Sequence, residues 1–397
     1  MTELSIPELV ALVKTAAAEA ANFQERFAAE DVEARKIVEV MENYLRRTKR
    51  IVYGGAAINA HLSPETRFYD PRLNLPDYDF MTPDPLQDTA NLIAEFKREG
   101  FQEVEAKLGI HEGTYKVFVN YRSAADITYM PPTLYESTLK DTSIIEGICY
   151  ASPDFLRMNI YVELSRPSGN VSRWEKVYER LLLLNKEHPL HTKGCTPLST
   201  IGKAVESWKQ TQHRKIIDVG KEYGAIFLSE PTRHIGLKSR TGPVILITDN
   251  RKVNDALETM GFESKPHEAL GELLPARTEF TIKNKLVAVV FETMACHAYV
   301  VIDSMHIGSL DLLIHMYYAM FFAGLNYGVN TPCIIQELIE LEYEKLKMAP
   351  KRDEPVFPLD CVGHQPTMPE LKRAHRKRVR EKRKELKLFR RSSTNNK

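Results

Sequence analysis

Apolar residues recur at helical spacing at the start of the chain: Leu9, Leu12 and Val13, then Ile37, Val38, Val40, Met41 and Leu45. They lie in an Ala- and Glu-rich run over 7–47 that closes on a basic cluster, 46–50, and predicts helix. The pattern then changes to short apolar runs. Residues 51–53 read as a strand that runs into Gly54-Gly55 and a helix from Ala56. After a Pro-rich loop come a strand over 77–82, a helix over about 84–99, and Gly100-Phe101 opening another strand. Strands around 114–121 and 124–130 follow, then helices around 153–164 and 171–185. The segment 186–200, with two prolines and a glycine, reads as a linker.

The second half repeats this order. Arg35-Lys36-Ile37-Val38 opens the helix before the first strand, and Arg214-Lys215-Ile216-Ile217 opens one before the strand at 225–228. Pro76 to Thr82, a helix and Gly100-Phe101 match Pro243 to Thr248, a helix and Gly261-Phe262. Ser152, Asp154, Leu156 and Tyr161 match Ser309, Asp311, Leu313 and Tyr318 at one constant offset. Three matches in order predict a duplication, with a period far longer than a solenoid repeat.

Composition adds limits. A chain of 397 residues, 43% hydrophobic and 27% charged, has material for two cores. The net charge of +1 hides an asymmetry: residues 371–391 hold twelve Lys or Arg against Glu381 and Glu385, so the remainder is acidic. Five scattered cysteines, none in a CxxC pair, predict neither a disulfide framework nor a zinc site, and a reducing, cytosol-like compartment. The opening MTELSIPELV lacks the layout of a secretory signal. The most apolar stretch, 310–325, contains Asp311 and His315 and is too short to span a bilayer; it reads as a buried helix, and no membrane association is expected.

Two glycines between a strand and a helix let backbone amides approach a phosphate, although Gly-Gly also makes ordinary turns. Asp77 and Asp79 flank one residue of a strand, so their carboxylates share a face while Tyr78 and Phe80 take the other. Like charges side by side on a strand repel, and divalent cations would relieve that. A lone DxD on an exposed edge would instead be solvated. Asp126 lies in the apolar run Ala124-Ala125-Asp126-Ile127, where a charge needs cations or partners. A Gly-Gly turn with three aspartates on adjacent strands predicts a two-metal nucleotidyl-transfer site.

The arrangement resembles the DNA polymerase β nucleotidyltransferase superfamily, with a longer gap between Gly55 and Asp77 that fits a subgroup carrying a loop there. A narrower resemblance is to the poly(A) polymerase catalytic subunits of large DNA viruses, of poxvirus and giant-virus type. It is carried by Tyr53-Gly54-Gly55-Ala56-Ala57-Ile58-Asn59, Pro76-Asp77-Tyr78-Asp79-Phe80, Ala125-Asp126-Ile127, Leu164-Ser165-Arg166-Pro167, the run from Arg173 to Leu181, and Cys361-Val362-Gly363-His364-Gln365.

The resemblance implies an α+β chain. A helical segment (1–50) precedes a catalytic polymerase β-like nucleotidyltransferase domain (51–190). A degenerate nucleotidyltransferase-like domain (200–345) and an extension with a basic tail (346–397) complete it. It implies a template-independent enzyme that adds AMP from ATP to RNA 3′ ends. Asp77, Asp79 and Asp126 would be catalytic and would hold two Mg²⁺ or Mn²⁺ ions; Gly54 and Gly55 would cradle the triphosphate. Arg157, Arg166 and Lys176 are candidates for its γ-phosphate end, or helix-surface charges. The tail, without a firm amphipathic period, reads as a solvated or disordered segment whose Lys372, Arg373, Arg376, Lys377, Arg378 and Arg380 bind RNA; a nuclear-localisation signal is the other reading. A homodimer, a viral processivity partner, and a place in the virion and host cytoplasm are further implications of the resemblance. An oligonucleotide second-messenger synthase, a tRNA- or protein-modifying enzyme and a non-catalytic RNA-binding scaffold remain alternatives.

Overall fold

A computed structural model describes residues 5–69, 76–190, 195, 207–238, 242–271, 273–293, 295–327, 330–348 and 355–394. The contacts divide the chain into two compact units. The first takes the residues up to Tyr129, Thr142–Ala151 and His375 onward; the second takes Met130–Asp141 and Ser152–Ala374. The expected linker at 186–200 falls largely outside the described residues, and the helix before it runs on to Glu187.

In the first unit the early helical pattern forms α1 (Ile6–Glu30) and α2 (Val32–Thr48). They part at Asp31, whose carboxylate caps α2 by accepting from the amides of Glu33 and Ala34. The elements that follow are β1 (Ile51–Tyr53), α3 (Gly54–His61), β2 (Tyr78–Thr82), α4 (Pro85–Arg98), β3 (Val104–Leu108), β4 (Thr114–Val119) and β5 (Arg122–Tyr129). After α5 (Pro132–Leu139) in the second unit, β6 (Ser143–Ile145) and β7 (Ile148–Tyr150) return to the first, giving a sheet of order β3-β4-β5-β2-β1-β7-β6. Its core is the face that takes Phe80, with Met41, Tyr44 and Leu45 of α2 and Leu92 and Phe96 of α4 all buried. Each such side chain contributes about 1.5–3 kcal/mol by leaving water.

The second unit contains α6 (Pro153–Leu164), α7 (Trp174–Glu187), α8 (Ser207–Glu222), β8 (Ile226–Phe227), β9 (Val244–Thr248), α9 (Lys252–Thr259), β10 (Glu263–His267), β11 (Arg277–Ile282), β12 (Lys285–Glu292), β13 (His297–Ile302), β14 (Met305–Gly308), α10 (Leu310–Phe322), α11 (Thr331–Met348) and β15 (Cys361–Val362). Its sheet runs β10-β11-β12-β9-β8-β14-β13-β15. Apart from β15 this is the order of the first sheet, strand for strand. The parallel pairs agree as well: β2 with β5 and β1 with β7 in one sheet, β9 with β12 and β8 with β14 in the other. The matching helices are α6 and α10, each N-capped by a serine, Ser152 and Ser309, as the repeat predicts. They pack on one another, with Tyr318 donating to Asp154 at 3.1 Å.

Two features depart from the expectations. Residues 368–394 form a helix, α12 (Met368–Thr394), where a solvated or disordered tail was expected. Glu370 caps its start by accepting from the amide and the hydroxyl of Thr367, and Lys and Arg are good helix formers. Its half-buried face, Leu371, His375, Arg378 and Val379, is half polar, so apolar periodicity does not reveal it. His375 bonds the Gly109 carbonyl at 2.9 Å and Arg378 donates to that of Ile110 at 2.6 Å. Second, disulfides join Cys195 to Cys333 and Cys296 to Cys361, leaving Cys149 free and buried. Spacing along the chain hides pairs separated by 138 and 65 residues. The 310–325 stretch, by contrast, forms α10, buried as expected, and no described helix is long and apolar enough to cross a membrane.

Candidate active site

The turn after β1 and the strands β2 and β5 bring the three aspartates together. Tyr53, the last residue of β1, lies opposite Asp79 in antiparallel register. Asp79 in turn lies opposite Asp126 in the parallel pairing of β2 with β5, so the two carboxylates stand side by side on one face. Asp77 precedes β2 by one residue and belongs to the same alternation.

Gly54 follows Tyr53 with φ +70°, a conformation that side chains other than glycine rarely adopt. A Cβ on Gly54 would stand 2.7 Å from Asp79 Oδ2. The glycine is therefore required twice over, by its backbone and by the carboxylate against it. Gly55 lies in the first turn of α3, whose eight residues carry no side-chain N-cap bond.

The electrostatics are those of crowded acids. Asp77 is exposed as a residue, yet its carboxyl is held above the usual carboxylate range. Loss of surrounding water is the main cause, the charge of Asp126 the second, and Lys116 opposes both. Asp126 Oδ2 accepts from the ammonium of Lys116 on β4, while its other oxygen, Oδ1, is buried with no partner. A buried carboxylate oxygen without a donor is costly and suits a cation. Among the described residues, no three Asp, Glu, His or Cys side chains already close into a metal cage. Mg²⁺ takes one or two carboxylates and completes its shell with water and substrate phosphate, so its fit rests on the adjacent Asp79 and Asp126 and on the unpartnered Asp126 Oδ1. The donor set fits the implied ions.

The three basic candidates lie in the second unit. Arg157 is 2% exposed; its guanidinium donates to Asp154 at 2.6 Å, to Asn185 at 2.7 Å, and to the His188 carbonyl. This is a structural use that competes with a phosphate role, and a charged residue at helical spacing did not announce it. Arg166 is half-buried, and after burial, the main cause, its charge also helps to keep protons off His297 and His315. Lys176 is exposed on α7. On α12, Lys372, Arg373, Arg376, Lys377 and Arg380 are exposed, and Arg378 is half-buried. Lys116 was missed by sequence reasoning; its signal lies in the register of the 114–129 hairpin, which places it across from Asp126.

The second sheet lacks this chemistry. The registers put Ile245 at the place of Asp79 and Val289 at that of Asp126, and two residues before Ile245 stands Pro243.

Residues 39–170 match the family model described as poly(A) polymerase catalytic subunit, a span holding both glycines and all three aspartates. The chain resembles the poly(A) polymerase catalytic subunits of large DNA viruses. A protein of Acanthamoeba polyphaga mimivirus, provisionally named a poly(A) polymerase catalytic subunit, is 35% identical over 162 residues, 40% of this chain and 27% of its own. One of African swine fever virus (isolate Tick/Malawi/Lil 20-1/1983), similarly named, is 28% identical over 169 residues, 40% of this chain and 34% of its own. The chain thus spans about a quarter to a third of the length of these curated relatives. The fold of a crystal structure of the Megavirus polyadenylate synthase superposes with a TM-score of 0.81 at 20% identity, covering 97% of this chain and 85% of that one. The mixed α+β fold is therefore shared over nearly the whole chain, second sheet included.

Proposed function

We propose that the chain is a template-independent polynucleotide adenylyltransferase that adds AMP from ATP to RNA 3′ ends. The observation that carries this is the pairing of Asp79 with Asp126 beneath the Gly54 turn, inside the segment that matches the poly(A) polymerase family. Asp77, Asp79 and Asp126 would hold two Mg²⁺ or Mn²⁺ ions. When bound, the ions supply charge to the triphosphate and the leaving pyrophosphate and acidity to the attacking hydroxyl. Gly54, by lacking a side chain, leaves the first turn of α3 open, and its backbone amides face a phosphate there. The RNA 3′ oxygen gives up its proton to water and bonds to the α-phosphorus as the bond from that phosphorus to the oxygen bridging the β-phosphate breaks, and pyrophosphate leaves.

In this reading the second sheet is a nucleotidyltransferase-like domain without catalytic acids, because Pro243, Ile245 and Val289 offer no ligand oxygen in their side chains. The exposed cations of α12 draw the RNA backbone. The choice of ATP, a homodimeric assembly, a viral processivity partner and work in the host cytoplasm rest on the viral resemblance alone. The test is extension of a labelled oligo(A) primer with each nucleotide and Mg²⁺ or Mn²⁺, set against Asp77→Ala/Asp79→Ala. Long ladders from ATP, absent in the double variant, are expected. Failure of the wild type with every nucleotide and both metals would count against the reading, and short cyclic or oligonucleotide products would point to a second-messenger synthase.

A further inference from the structure

Lys116 is a cation bonded directly to an aspartate of the site, and the two halves of the chain make an internal control for it. In the first sheet Lys116 lies across from Asp126, which lies across from Asp79. In the second sheet the same two pairings run Glu279 to Val289 to Ile245. Where the acids are gone the lysine is gone too, and its place is taken by Glu279, which accepts from Tyr327 and Arg277. The strand geometry survives without a lysine at this place. Lys116 therefore goes with the acids rather than with the fold.

Its placement is also specific. The ammonium takes Asp126 Oδ2 and leaves Oδ1 buried without a partner. Both side chains are partly shielded, Lys116 at 39% and Asp126 at 18% exposure, so the pair interacts more strongly than it would in open water. Building on the proposed cation site, we infer that Lys116 is a positioning residue that stands in for a cation. It holds Asp126 by one oxygen with the other available, and keeps the three carboxylates together in the metal-free protein. It also weakens the first binding of a divalent ion by partly neutralising the site.

The test is Mn²⁺ binding by calorimetry on the full chain, together with metal-free melting, for wild type, Lys116→Met, Lys116→Gln and Lys116→Arg. Removing the charge should tighten Mn²⁺ binding by on the order of tenfold. It should also lower the metal-free melting temperature, with saturating Mn²⁺ closing the gap. Lys116→Arg should restore both values towards wild type. In an Asp126→Asn background, Lys116→Met should change Mn²⁺ affinity little, because the partner is already neutral. Equal Mn²⁺ affinity in wild type and Lys116→Met, or the same gain with Asp126→Asn, would overturn the inference alone. If the wild type bound no Mn²⁺, the metal site itself would fall, and this inference with it.

Discussion

Gly54 and Asp79 are fitted to each other so closely that a single methyl group on the glycine would stand 2.7 Å from the carboxylate oxygen. The contact joins the phosphate turn to the acids: the turn cannot gain a side chain without moving a proposed ligand. Gly54→Ala should therefore cost stability modestly, about 1–2 kcal/mol for a non-glycine residue in the left-handed region. It should cost primer extension far more, on the order of a hundredfold for an ångström of displacement at the reacting groups. Gly55 has no positive φ, so Gly55→Ala should be the milder change. Melting curves and single-nucleotide addition rates on the two variants check this; equal losses of activity would argue that Gly54 serves only as a turn.

Much of this site is legible in the sequence because its parts are local. A strand, two glycines and a helix read in order, and DxD alternation puts Asp77 and Asp79 on one face whatever the rest of the chain does. Asp126 stands out as a charge in an apolar strand. The duplication is legible too, since its matches fall on corresponding helices and strands around two sheets with one connectivity. What escapes is long-range. Lys116 becomes meaningful only once the β4–β5 register is known. Arg157 looks like a surface cation until Asn185, twenty-eight residues away in sequence, closes on it. The disulfides depend on contacts across the second unit, and α12 docks through His375 and Arg378 rather than through an apolar stripe.

The docking of α12 separates its cations into two kinds. Arg378 donates to the Ile110 carbonyl and helps to hold the helix, whereas Arg373, Lys377 and Arg380 are exposed. For single-stranded RNA each phosphate contact contributes about 0.7 to the slope of log affinity against log salt. Replacing Arg373, Lys377 and Arg380 together by Gln should lower that slope by roughly 2. Arg378→Gln should instead loosen the C-terminal helix, seen as faster amide exchange over 371–379. Fluorescence anisotropy of oligo(A) across a salt series decides the matter; an unchanged slope would take α12 out of the RNA path.

In the second unit the titratable groups oppose one another in their pH dependence. Asp311 and Glu342 are buried, and loss of water raises their carboxyls to about 7 and about 8; the negative charge of Asp311 adds to the rise at Glu342, while a 2.6 Å bond from Tyr161 opposes it. His297 and His315, their rings 6.5 Å apart, are driven the other way by burial and then by the charge of Arg166, His315 to about 3. A carboxyl raised in the folded state loses its stabilising contribution as pH climbs from its unfolded value to its folded one. A depressed imidazole loses its contribution as pH falls from about 6.5. Between about pH 4 and 6.5 the two sets offset each other. Above 6.5 only the carboxyls still change, so stability should fall between pH 6.5 and 8.5, by on the order of 2–3 kcal/mol. Glu342→Gln keeps an acceptor for Tyr161 and removes the ionisation, so it should flatten that limb and, with one offsetting carboxyl gone, make stability rise with pH between about 4.5 and 6.5. Urea midpoints at half-unit pH steps test both; a wild-type profile flat above pH 6.5 would mean that Asp311 and Glu342 ionise as ordinary carboxyls inside the fold.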